Sequence, residues 1–171
     1  MSIRSCVLPG VLTAAVLAAC ASVGAAASNS SPPPCSTSGL VIWLDTNGSG
    51  AAGSVYYRVE LTNLSGHPCT LSGYPRVVAV NLHGKQIGKG SGRFVSRKPS
   101  VRLAKGATAS FVLEIVDVAN FPSSTCGRVT AAGLRVFPPH EDASKVVPFP
   151  FEACSRSRAE FLWAQAVQPH R

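Results

Sequence analysis

The chain is short of acid. Only eight of its 171 residues are Asp or Glu, against sixteen Lys or Arg, and charged residues make up 14%. So few carboxylates leave a paired-carboxylate glycosidase little to draw on. There is no CxxC, which argues against thiol–disulfide exchange. HExxH, GxSxG, SxxK and Walker patterns are absent, as is any Cys/His pattern at metal spacing. A triad assembled from distant positions leaves no such local mark. No apolar run reaches the length of about 20 residues that a bilayer span needs. Aromatics are 7% of the chain and do not interleave with the basic residues in a regular pattern. Nucleic acid is therefore not an expected partner.

What the chain does have is six cysteines, sorted into two groups. Cys6 and Cys20 lie in an N-terminal stretch that reads as an export signal. Arg4 precedes an uncharged run at 7–19 that is mostly Val, Leu and Ala, the shape of a secretory h-region. Two processing sites compete. Leu17-Ala18-Ala19-Cys20 resembles a bacterial lipobox, in which Cys20 is lipidated and becomes the first residue. Ala25-Ala26-Ala27 is a small-residue site that would release a soluble protein. Residues 1–27 are thus expected as a signal peptide, cut near 19/20 or 27/28. The Ser/Asn/Pro segment 28–34 is expected as a spacer, because it has no aliphatic side chains to bury. Residues 35–171 remain, enough for one domain with a real core.

Strand signals recur along that domain with turn residues between them. The run 40–44 is followed by turn-rich Asp45-Thr-Asn-Gly-Ser-Gly50, sharpest at Asn47-Gly48. Segment 54–62 alternates, with Val55, Tyr57, Val59 and Leu61 expected inward and Tyr56, Arg58, Glu60 and Thr62 outward. A third strand covers 76–82, turns at His83-Gly84 and returns briefly at 85–88. Segment 88–99 reads as a mobile loop and 101–103 as a short strand. Segment 107–116 alternates, with Ala109, Phe111, Leu113 and Ile115 on one face. Strand 128–137 stops at Pro138-Pro139. Segment 145–151 carries Pro148 and Pro150, which confine it to a sheet edge. The last segment, 160–167, is expected as a strand. No internal repeat is visible. The pattern is that of an all-β, Ig-like sandwich of about seven to nine strands.

The topology also orders the remaining cysteines. Cys35 precedes the first strand and Cys69 follows the second; Cys126 and Cys154 bracket the 128–137 and 145–151 pair in the same way. If each pair is a hairpin, its cysteines meet at the open end. Of the three connectivities four cysteines allow, this selects Cys35–Cys69 and Cys126–Cys154. Disulfides of this kind belong to an exported domain.

Several local patterns then coincide. They are Asn63, Cys69-Thr-Leu-Ser-Gly-Tyr-Pro75, His83-Gly84, Val101-x-Leu103-x-x-Gly106-x-x-Ala109, Cys126, Phe137-Pro138-Pro139 and Cys154. Together they resemble domain of unknown function family 4232, found in exported proteins and lipoproteins of actinobacteria. The resemblance runs from about Cys35 to Val167, and its most specific part is the C-T-L-x-G-Y-P stretch. Lys105-Gly106 stands where the family usually has Pro-Gly. The resemblance implies a β-sandwich in the cell envelope and brings no activity or site residues with it.

The candidate chemistry is correspondingly thin. No acidic residue lies between Glu60 and Glu114, an interval holding Arg76, Lys85, Lys89, Arg93, Arg97, Lys98, Arg102 and Lys105. It reads either as a basic face for an anionic partner or as solvated loops and outward strand positions. His140-Glu141-Asp142 is the one tight cluster of metal-ligand types, in a turn where polar residues belong anyway; His67, His83 and His170 stand apart. Trp43, Tyr56, Tyr57 and Tyr74 are candidates for an aromatic platform for sugar. Of these, Trp43 and Tyr57 are expected in the core, Tyr56 exposed and Tyr74 at a corner. The expected function is a non-catalytic, exported cell-envelope binding module, lipid-anchored if Cys20 is modified. Its candidate partners are an anionic wall polymer, lipid headgroups or a protein, with no cofactor. A small secreted hydrolase or metal-binding protein centred on His140–Asp142, and a secreted protease inhibitor, are the alternatives.

Overall fold

A computed structural model of the chain describes residues 31–95 and 97–170. The signal segment, Cys6, Cys20 and residues 28–30 of the spacer lie outside the described residues. Those described fall in one compact unit, Ser31–Arg171. Among them are twelve strands. In chain order these are β1 (Leu40–Ala51), β2 (Ser54–Asn63), β3 (Cys69–Ser72), β4 (Arg76–Val80), β5 (Gln86–Ile87) and β6 (Gly92–Arg93). They continue with β7 (Ser100–Leu103), β8 (Thr108–Val116), β9 (Arg128–Phe137), β10 (Lys145–Cys154), β11 (Leu162–Ala164) and β12 (Gln168–Pro169).

The strands form the expected sandwich, with short pairings of two to four residues added to its long strands. One sheet runs β1-β2-β8-β11-β6, with β12 also on β8; the second runs β10-β9-β4-β5; β3 and β7 make a separate ribbon. The alternation read in the sequence supplies the core. Val59 and Leu61 of β2 and Ala109, Phe111 and Leu113 of β8 face Val77 and Ala79 of β4 and Leu134 and Val136 of β9, all buried. Burial of each large side chain of this kind is worth about 1.5–3 kcal/mol. β10 lies at a sheet edge, where Pro148 and Pro150 break no ladder on the open side.

Both disulfides are as the hairpins require: Cys35–Cys69 and Cys126–Cys154. β1 and β2 pair from Leu40↔Asn63 onward, and Cys35 and Cys69 meet just past that open end. β9 and β10 pair at Arg128↔Cys154, two residues from Cys126. The end of the segment read as a spacer is tied down here as well, since the Pro33 carbonyl accepts from the Thr70 amide at 2.9 Å.

Several expectations change. The stretch 45–50 is not the loop between β1 and β2. β1 continues through it to Ala51, and the chain reverses at Ala52 and Gly53, both at positive φ (41° and 83°). The turn residues form a bulge instead: the Asp45 carboxylate accepts from the Asn47 amide at 3.0 Å, and pairing resumes at Ser49↔Tyr56. Trp43 is not in the core but 45% exposed on the outer face. Leu40, Ile42 and Leu44 take the inward phase, and an unbroken apolar run carries no signal of which phase that is. Glu60, expected outward in water, faces outward but is only 6% exposed. β2 is an interior strand, and the chain end, paired with β8 as β12, brings His170 Nδ1 to 3.8 Å from the Glu60 carboxylate. Of the last segment, 160–167, only Leu162–Ala164 is strand, as β11; β12 follows it at Gln168–Pro169. The segment 88–99 is less free than a mobile loop, because β6 pairs in parallel with β11 and the Ser91 amide donates to Val77 O at 2.8 Å.

Candidate anion-binding site

The corner between β3 and β4 is where the basic interval becomes concave. Gly73 turns the chain at φ +98°, and its carbonyl accepts from the Val167 amide at 2.9 Å. A Cβ at Gly73 would stand 3.4 Å from His140 Nε2, so the β9–β10 loop packs against the same corner. His140 itself sits at φ +64°, exposed, after buried Pro138 and Pro139. Non-glycine residues in this region are uncommon, with His among those enriched there. Tyr74 follows Gly73, half-buried, as the corner residue expected.

Two cations of the basic interval come to the Tyr74 ring. Lys98 Nζ lies 5.2 Å and Arg93 Cζ 5.8 Å from its centroid, within cation–π range. Arg93 is delivered by β6, Lys98 by the approach to β7. With Ser72, Gly73 and His140 they line a hollow of about 390 Å³, and no carboxylate is among its described lining residues. The other basic residues do not join it. The Arg76 guanidinium lies 3.3 Å from the Phe137 ring centroid, and Lys89 pairs with Glu160. Lys85, Arg97, Arg102 and Lys105 are exposed. The basic interval is therefore not one patch. It is a small basic hollow amid scattered solvated charges.

The His140-Glu141-Asp142 cluster is divided by the fold. Glu141 accepts from the Thr37 amide at 2.9 Å and from Thr37 Oγ1 at 2.7 Å, tying the N-terminal 3₁₀ turn Thr37–Gly39 to the β9–β10 loop. The amide bond first and the hydroxyl bond second hold its carboxyl below the usual range. Among the described residues no three His, Cys, Asp or Glu side chains converge as metal ligands.

A depressed folded pKa stabilises the fold above the unfolded pKa, and that contribution is lost as pH falls through the folded value. Glu141→Gln is expected to cost about 1 kcal/mol at pH 7, the low side for charge-assisted bonds because the site is wet. The difference from wild type should shrink toward pH 3. Urea midpoints at the two pH values check this; an unchanged difference would refute the clamp.

The aromatic candidates are spread over the molecule. Tyr57 is half-buried, edge-on to Phe149 at 5.0 Å. Tyr56 is half-buried on the outer face, where its hydroxyl donates to Glu114 at 3.1 Å. Lost hydration, then the Glu114 carboxylate, hold its phenol above the usual range. Sequence reasoning placed the basic interval and Tyr74 but missed His140 as a wall of the same hollow. No local signal links residue 140 to residues 74, 93 and 98.

The molecule is a disulfide-tied β-sandwich domain of the kind suited to an oxidising, extracytoplasmic environment, with no membrane-crossing helix among the described residues. The chain belongs to the family described as a domain of unknown function (DUF4232), whose model matches residues 35–165. Neither the curated proteins nor the solved structures compared with the chain yielded a match.

Proposed function

We propose that this is an exported, non-catalytic binding module that holds a negatively charged group of a cell-envelope polymer in the hollow at Tyr74. The observation that carries the reading is the approach of Arg93 and Lys98 to one ring in a hollow whose described lining has no carboxylate. Such a concavity concentrates positive potential more than the same charges would on a flat surface. The non-catalytic part is supported by Glu141, whose carboxylate is engaged by Thr37 and so is a poor free base. Export through residues 1–27, with lipidation at Cys20 or release after Ala27, belongs to the same proposal and is supported by the disulfides.

The test is binding of the purified domain to polyphosphate, a plain polyanion, by calorimetry at 20 and 300 mM salt. Each cation contact at about 4 Å is worth roughly 1 kcal/mol in water. Arg93→Ala/Lys98→Ala is therefore expected to weaken binding more than tenfold at low salt. High salt should do much the same to wild type. Alanine at Lys85 and Lys105, which are exposed and do not line the hollow, should change little. Equal losses in both double variants would leave only a diffuse charge effect and sink the proposal.

A further inference from the structure

A second hollow lies beside segment 165–169, whose Val167 amide bonds the Gly73 corner of the first. On the outer face of the six-stranded sheet, Trp43, Glu60, Ser110 and Gln168 are register neighbours across β1, β2, β8 and β12. At about 4.8 Å per strand the row is roughly 14 Å long. Trp43 stands at one end, 45% exposed. Between the ends Glu60 and Ser110 are buried, 6% and 8% exposed, and the half-exposed His170 side chain stands over them with Nδ1 3.8 Å from the Glu60 carboxylate. At the other end is a hollow of about 230 Å³, lined by Arg58, Val112, Gln165, Gln168 and Pro169 among others.

This is the chemistry a sugar ring needs. An exposed indole offers a flat apolar surface to the C–H face of a pyranose. The Gln165 carboxamide offers donors and acceptors to its hydroxyls, and the Gln168 side-chain oxygen and the half-exposed His170 imidazole add further partners. The two hollows are also joined. The Val167 amide donates to Gly73 O, at the Tyr74 corner, and the Gln168 side-chain Nε2 donates to Arg97 O at 3.2 Å, beside Lys98. Segment 165–169 thus lines the second hollow and is tied by these two bonds to the corner and the strand approach that carry the first.

We infer that the ligand is an anionic glycan. Its charged substituent occupies the Tyr74 hollow, and its neighbouring rings lie along the row from Gln168 to Trp43. This rests on the anion-binding reading above and adds the sugar. A polyanion without sugar engages the first hollow alone. A glycan bearing carboxylates engages both.

The experiment compares hexagalacturonate, polyphosphate and uncharged dextran on the full mature domain by calorimetry, with indole fluorescence as a second readout. Hexagalacturonate is expected to bind with an indole emission shift that Trp43→Ala abolishes, since Trp163 is the chain's other indole. Trp43→Ala should weaken it at least fivefold and leave polyphosphate binding unchanged. Gln165→Ala, at a half-buried surface position, should weaken it in the same sense and serves if the Trp43 variant folds poorly. Arg93→Ala/Lys98→Ala should weaken both ligands. Hexagalacturonate binding that ignores Trp43 and Gln165 overturns the inference, as does polyphosphate binding without hexagalacturonate binding; the anion reading then stands alone. Dextran bound as tightly as hexagalacturonate overturns the need for charge. Failure of both anions overturns the anion reading and this inference with it.

Discussion

Alanine at both Cys126 and Cys154 is expected to lower the unfolding free energy by about 3–4 kcal/mol, from the loop-closure entropy of a crosslink of this span. The separation is 28 residues, and both sulfurs are fully buried. The bridge closes the open end of the β9–β10 hairpin and holds the helical turn Ser123–Cys126 against it. There the Arg156 amide donates to Cys126 O at 2.9 Å and the Ser155 amide to Gly127 O at 3.0 Å. A domain of this size has about 5–15 kcal/mol in all. Loss of one bridge therefore takes a large share, and full reduction, which also opens the 34-residue Cys35–Cys69 span, should leave it marginal or unfolded at 37 °C. Urea unfolding of the double alanine variant, beside wild type with and without reductant, checks this. A shift under 1 kcal/mol would mean the hairpin end is held by its backbone bonds and core contacts alone.

Asn63→Ala is expected to cost about 3 kcal/mol, because buried carbonyls would lose their donor with nothing to replace it. Asn63 is fully buried at the end of β2. Its amide nitrogen donates to His67 O at 3.0 Å, Leu103 O at 3.1 Å and Ala104 O at 3.2 Å. Its side-chain oxygen accepts from the Ser65 amide at 3.0 Å and the Ser65 hydroxyl at 2.6 Å. One side chain thus joins the β2 end, the 64–68 loop and the β7–β8 turn. That turn also closes on its backbone, since the Gly106 amide donates to Asn63 O at 2.7 Å. Chemical denaturation measures the loss, and amide exchange should localise it to Gly106 and Ser65. An Ala variant within 0.5 kcal/mol of wild type would mean water replaces the network, as it does at ordinary surface positions.

The long strands were legible because their signal is local. The period-two alternation of Val59 and Leu61, or of Ala109, Phe111, Leu113 and Ile115, survives in any sheet that covers one face. The disulfide pairing was legible for a related reason: hairpin partners are near in sequence, so their ends are near in space. Trp43 was misplaced because its neighbours Val41, Ile42 and Leu44 are all apolar, and both phases of the strand look alike. Asn47-Gly48 looked like a hairpin turn because bulges and turns draw on the same residue types.

Other features depended on the return of distant chain. Glu60 became buried because β2 is flanked by β1 and β8 and the chain end, over a hundred residues later, pairs with β8 and brings His170 to it. Arg93 and Lys98 met over Tyr74 because β6, only two residues long, pairs with β11 rather than hanging free. His140 joined them through the packing of the β9–β10 loop on Gly73.

From the residues alone come the sandwich class, the two bridges, the acid-free basic interval and the family resemblance. Each follows from local periodicity, composition or neighbouring segments. Only the tertiary structure decided which cations converge, which aromatic is exposed and which two hollows the chain end ties together. Those are long-range contacts, selected by how the whole core packs, and no window of sequence contains the partners together.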